Sequence, residues 1–333
     1  MFLILCHHYV VNSGLLFEMQ DNPTSANSLF FYLFGMWGKT GINCFVLITG
    51  YFMCTSTITL RKFLKLYLQV VFYGFLFLVA HSILDGECVS VKDTVLTLLP
   101  FRNIVSDSFF QAYIVWWLFI PFLNVMIRGL SKKQHLYLIV LCVSVFSCYS
   151  WIPYTYIALN PICWFSTIYV IAAFLRLYPD AVPRIAVSKP GGVFAACVVL
   201  SMASVVILSF WNDYCNVREV PYSLVSDFER PMALVTSVVS FHYFLNLKIG
   251  YSKLINLIGA STFGILLLHT NPHIVHWLWV IACDCAHHYD TNYYWAYAIG
   301  VCVVIFAICS FIDIIRIHTI EKWMFSMIDR YMK

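Results

Sequence analysis

The chain has 333 residues, of which 61% are hydrophobic and only 11% charged, with a formal net charge of +4. Soluble domains carry about 25% charged residues, so this composition excludes a soluble domain and marks an all-α polytopic membrane protein. A net charge this small gives no ground for a nucleic-acid partner.

Read in order, apolar segments long enough to span a bilayer cover residues 1–17, 28–53, 64–84, 109–127 and 135–152, then 162–177, 193–211, 231–247, 254–282 and 293–315. That predicts ten transmembrane helices, each near the ~20 residues a bilayer requires. The loops set the orientation. Taken on alternate sides, fifteen of the 20 Lys and Arg residues fall on one side and four on the other, with Lys39 inside a segment. The positive-inside rule then predicts both termini in the cytoplasm. The longest stretches outside, 85–108 and 212–230, are too short to fold alone, so residues 1–333 are expected to form a single transmembrane domain. Residues 91–100 are expected to lie as a short amphipathic helix on the outer surface.

The first segment, MFLILCHHYVVNSGLLF, holds two adjacent histidines, His7 and His8. An ionisable residue inside a membrane span is a functional-site hypothesis, and histidine is the side chain suited to moving protons near neutral pH. A hydrogen bond to a neighbouring helix is the structural alternative. Seventeen helical residues cover ~26 Å, short of the ~30 Å hydrocarbon core. That shortfall predicts an N-terminal turn or two missing before Met1.

Most of the thirteen cysteines lie in apolar segments, where cysteine behaves as a small hydrophobe. Cys88, Cys215, Cys283 and Cys285 fall in or beside outer loops, where a disulfide stays open because connectivity is not readable from sequence. The run CDCAHHYD (283–290) invites a metal reading, but its spacing lacks the paired C-x2-C pattern of zinc sites. A polar helix-end loop is the expectation, and no metal is expected anywhere.

The stretch WGKTGINCFVLITGYFMCTST (37–57) is the most distinctive in the chain. Through Gly38, Gly41, Phe45, Gly50 and Tyr51 it resembles the second-helix signature of the integral-membrane acyltransferase-3 family, with Thr49 where that family usually has serine. Four further stretches agree in order: RKFLKLY (61–67), residues 113–124 ending in PFLN, WFSTIYVIAAFLRLY (164–178) and GASTFGILLLH (259–269). The resemblance spans the whole chain. It implies an O-acetyltransferase of sugars and glycans, in which a first-helix histidine is the proposed base and an arginine precedes it by about eleven residues. His8 falls on that histidine, with His7 one residue off, and the matching arginine would precede Met1.

Acetyl transfer from a thioester to a hydroxyl needs a base, cations for the coenzyme phosphates and donors for the tetrahedral oxyanion. His8 is the expected base and His7 its understudy. Arg61, Lys62 and Lys65 lie at the cytoplasmic mouth of the third segment; they serve as a positive-inside anchor or, as the resemblance implies, as a cradle for acetyl-CoA. Lys39 must face a cavity, a partner or the headgroups, and with Tyr51 it sits in the signature. His269 lies mid-segment ahead of Pro272, which breaks the helix; the resemblance gives it a role, and a packed core histidine is the alternative. Arg102, with Trp116 or Trp117, is the weaker candidate for an outer glycan groove.

The expected protein is a bacterial inner-membrane acyltransferase. It would use acetyl-CoA as co-substrate and a cell-surface polysaccharide or lipid-linked sugar as acceptor. His8 acts as base or as an acetyl carrier. The rivals are a flippase or transporter of a lipid-linked sugar, with Lys39 and His269 lining its path, and an inactive binding relative. Against transport stand the lack of an internal repeat and of paired intramembrane acids; Asp313 is the only acid deep in a segment.

Overall fold

The computed structural model describes residues 1–86, 88–99, 109–149 and 160–331. The protein is all-α, and no strand occurs among the described residues. The helices are α1 (Phe2–Val11), α2 (Leu15–Asp21), α3 (Ala26–Gly35), α4 (Gly38–Met53), α5 (Leu60–Asp85), α6 (Val91–Leu98), α7 (Phe109–Gly129) and α8 (Lys132–Val143). After them come α9 (Pro161–Leu177), α10 (Arg184–Ser188), α11 (Pro190–Tyr214), α12 (Pro231–Leu245), α13 (Lys253–His269), α14 (Tyr294–Arg316) and α15 (Lys322–Tyr331).

Local chemistry sets the helix ends. Ser25 and Ser252 cap α3 and α13 through their hydroxyls. Ser131 and Gln134 form a reciprocal capping box at α8, and Asn160 caps α9 with Pro161 in its first turn. Each satisfies a backbone N–H that has no partner inside the helix. Of the expected surface segment at 91–100, the structure shows a helix at Val91–Leu98, α6, capped by Ser90, and its Leu98 carbonyl accepts from the Tyr67 hydroxyl of α5.

By length and composition, α5, α7, α11, the paired α3–α4 stretch Ala26–Met53 and the α14–α15 stretch can each cross a membrane. The chain is therefore a polytopic membrane protein. Three shorter apolar helices, α9, α12 and α13, accompany them.

The first segment departs from expectation. It is not one helix: α1 stops at Val11 and α2 departs at 68°. The break lies at Asn12–Ser13–Gly14, where Gly14 has φ +84°, a left-handed conformation that glycine adopts without a Cβ penalty. The segment at 254–282 is also divided, with α13 ending at His269 ahead of Pro272 and a π-helical turn at Trp277–Ala282 following. Here the break is the one that the proline predicts.

The helices gather into two compact units. One comprises Met1–Glu18, Leu64–Pro100 and Lys248–Lys333; in it α14 packs against both α13 and α1. The C-terminal half of α13 lies in its interior, with every residue from Phe263 to His269 buried. The other unit comprises Met19–Phe63 and Phe101–Leu247, and there α4 packs on α9 and α12, α7 and α8 pack on α9, and α11 packs on α12.

The signature helix α4 is held to α9 by fit and by hydrogen bonds. A methyl on Gly50 would come within 2.8 Å of Ala172 Cβ and 3.1 Å of Tyr169 Cα, so only glycine permits this approach. Asn43, fully buried, donates to the Phe228 carbonyl (2.7 Å) and accepts from Trp164 Nε1 (3.0 Å). Asn124, in the PFLN stretch, donates to the Met53 carbonyl (3.1 Å) and accepts from the Tyr169 hydroxyl (2.6 Å).

Candidate active site

In the first unit, α1 carries His8, half-buried, on the turn before the break. Helix α13 presents His269 at its last position, fully buried. The two meet: His8 Nδ1 lies 2.9 Å from His269 Nε2, and the ring centroids are 5.1 Å apart at 48°. The other nitrogen of His269, Nδ1, lies 2.6 Å from the Ile265 carbonyl one turn back. Trp279 stands perpendicular to the His269 ring at 6.3 Å, and Tyr9 stands edge-on to Trp279 at 6.0 Å. His269 is thus flanked by buried aromatics, and both expected residues are in one place.

His7 is half-buried, with its ring 5.8 Å from that of His8. It lies ~100° further round the helix, and no direct bond joins it to His269. His273, just past Pro272, packs its ring against His81 of α5 at 4.7 Å. That partner was not legible in the sequence, since nothing local links residue 81 to residue 273.

The same unit carries a buried ionic cluster in which Asp313, fully buried, takes a 2.6 Å bond from Arg316 Nε. The Tyr73 hydroxyl adds a 2.7 Å bond and Gln69 Nε2 one of 3.2 Å. Arg316 also reaches Glu321 at 2.9 Å, and the other oxygen of Glu321 takes Lys65 at 2.7 Å. Of the expected coenzyme-binding cations, Lys65 is therefore part of a network. Arg316, Glu321, Gln69 and Tyr73 are members that sequence reasoning missed. The only available signal was the i,i+3 spacing of Asp313 and Arg316.

Arg61 and Lys62 belong to the other unit. Arg61 is exposed, while Lys62 Nζ folds back onto Ser56 Oγ (2.7 Å) and the Thr57 carbonyl (2.8 Å). Lys39, half-buried, sets its ammonium 5.8 Å from the centre of the Phe228 ring. Beside it, burial holds the Glu229 carboxyl above the usual carboxylate range, with the nearby Lys39 and Arg230 opposing that shift. The hydroxyl of Tyr51 accepts from Arg176 (3.1 Å), whose guanidinium lies 4.8 Å from the Tyr51 ring centre.

Two expectations fail here or fall elsewhere. Trp116 is fully buried against Phe165 and Tyr169, and Trp117 is nearly so; neither has a face to offer a sugar. Arg102 lies outside the described residues. All thirteen cysteines are free thiols. In the 283–290 loop the Cys283 carbonyl accepts from the Tyr297 hydroxyl (2.6 Å), and the His288 ring lies over Tyr297 at 3.8 Å. Among the described residues no group of three or more His, Cys, Asp or Glu is arranged to hold a metal ion.

A family model described as an acyltransferase domain matches residues 1–314 of the chain. No curated protein and no solved structure gives a match.

Proposed function

The chain belongs to the integral-membrane acyltransferase-3 family and is an acyltransferase, and from that premise we propose that it moves an acetyl group from cytoplasmic acetyl-CoA to a glycan hydroxyl, with His8 as the base. The acceptor is a hydroxyl of a cell-surface polysaccharide or of its lipid-linked precursor. The chain crosses a bacterial inner membrane ten times, with both termini in the cytoplasm. The observation that carries this reading is the contact of half-buried His8 with fully buried His269, since an imidazole inside a membrane protein is costly without a chemical task.

The step balances without a cofactor. His8 takes the proton of the acceptor hydroxyl as its oxygen attacks the thioester carbonyl carbon. The C–S bond of the tetrahedral intermediate then breaks, and the departing thiolate receives that proton. General-base assistance of this kind contributes about 10²–10⁴-fold. Lys65 at the mouth of α5 meets the coenzyme phosphates, which replace Glu321 as its counter-ion.

The test is transfer of labelled acetyl from acetyl-CoA in membranes containing the protein or its His8→Ala variant. Label reaching glycan with the parent chain and not with the variant supports the reading. Equal labelling by both removes His8 as the base. Label accumulating on the protein when acceptor is withheld, and absent from His8→Ala, would make His8 a covalent acetyl carrier.

A further inference from the structure

We propose that His269 is a positioning residue that fixes the tautomer of His8, an inference that rests on the assignment of His8 as base. The argument starts at the backbone. A carbonyl oxygen only accepts, so the 2.6 Å contact between His269 Nδ1 and the Ile265 carbonyl requires the proton on Nδ1. A neutral imidazole carries one N–H, which leaves a lone pair on His269 Nε2. The 2.9 Å contact with His8 Nδ1 is then a hydrogen bond in which His8 donates. Neutral His8 therefore holds its proton on Nδ1 and its lone pair on Nε2, the nitrogen that takes the hydroxyl proton.

The order is Ile265 carbonyl, His269, His8, with each group setting the next. Helix geometry makes the first link rigid, because the carbonyl and the ring lie one turn apart on α13. Trp279, perpendicular to the His269 ring, limits its rotation. This arrangement does the work of the carboxylate that orients the histidine of a hydrolase triad, where loss of the correct tautomer costs about 10⁴-fold. It differs in one respect: the orienting group is neutral. A neutral orienting group stabilises the His8 imidazolium formed during the step less than a carboxylate does. The cost of losing His269 is accordingly smaller than in a triad.

The experiment compares His269→Phe, which keeps a ring but offers no acceptor, with His269→Gln, whose amide oxygen can accept from His8 Nδ1. Steady-state kcat and KM for acetyl-CoA are measured on the full chain in membranes, with His8→Ala in parallel. His269→Phe is expected to lower kcat about 100-fold and to move KM less than threefold, and His269→Gln to recover at least tenfold of that loss. If His269→Phe keeps the parent kcat, or if His269→Gln is no better than His269→Phe, the inference is overturned. An active His8→Ala overturns the base assignment itself. A silent His8→Ala beside an active His269→Phe overturns only the role of His269. Should His269→Phe fail to fold, nitrogen-15 NMR of the histidine-labelled parent chain decides, the His8 signals being identified by their loss in His8→Ala. A protonated Nδ1 and a bare Nε2 on His8 support the proposal, and the opposite tautomer ends it.

Discussion

Asp313 occupies the space that a side chain on Gly264 would need: a methyl group at residue 264 would overlap the Asp313 carboxyl carbon and both its oxygens. The glycine of GASTFGILLLH is therefore a docking notch for a buried carboxylate on α14. The carboxylate is in turn held by Arg316, Tyr73 and Gln69, so the notch joins α13, α14 and α5 within one unit.

Gly264→Ala is expected to destabilise the protein by about 3 kcal/mol or more, since it both overpacks the contact and dislodges a buried ion pair. Gly50→Ala, whose methyl meets Ala172 and Tyr169, is expected to cost about 1–3 kcal/mol. Thermal unfolding of the purified chains orders the two, and a Gly264→Ala chain as stable as its parent would disprove the notch.

Removing one partner of a buried pair costs more than removing both, because the survivor keeps its charge without compensation. Asp313→Leu is expected to lose about 3–5 kcal/mol. The Asp313→Leu/Arg316→Met double variant should lose less than the sum of the two single changes. Equal additivity in a double-mutant cycle would show that the pair does not act as a unit.

Glu229 gives a pH dependence outside the membrane spans. Burial raises its carboxyl above the usual range in the folded chain, so the fold binds that proton more tightly than the unfolded chain does. The associated stability is complete below the unfolded value, ~4.3, and is lost as pH rises through the raised folded value. Glu229→Gln should therefore gain thermal stability relative to the parent at pH 8 and show no gain at pH 4. A gap that is constant between the two pH values contradicts this.

Under the proposed function, Lys65→Ala should raise KM for acetyl-CoA about tenfold with kcat little changed, as expected for loss of uniform binding. Glu321→Gln removes the counter-ion that Lys65 now holds and should lower KM. Initial-rate kinetics on both variants checks the pair of outcomes, and matching changes in kcat would instead assign Lys65 to the chemical step.

Much of this was legible in the sequence, for definable reasons. Helices in lipid are marked by apolar length, and Pro272 announces the end of α13. The resemblance put His8 and His269 forward as candidates, but nothing in either stretch shows that they touch. The break after Val11 was written as Asn-Ser-Gly, a turn signal, yet the apolar residues on both sides let it pass as one span. Asn43 and Asn124 are single polar residues in apolar runs whose partners, Trp164 and Tyr169, are distant in sequence. The Lys65–Glu321–Arg316–Asp313 network escaped for the same reason: periodicity reports a face, never the residue opposite.

The unit that holds the two histidines is assembled from three separated stretches of chain, and His8 and His269 stand 261 residues apart. At ~5–20 residues per second, roughly 13–50 s of synthesis separate them. During that interval α1 is already made while its α13 and α14 partners do not yet exist. Under the proposed roles, a ribosome that stalls anywhere before residue 269 leaves His8 without His269. Full competence for the proposed reaction is on that reading conferred late, by the last quarter of the polypeptide that completes this unit, and a prematurely terminated chain is denied the orienting contact by its own topology.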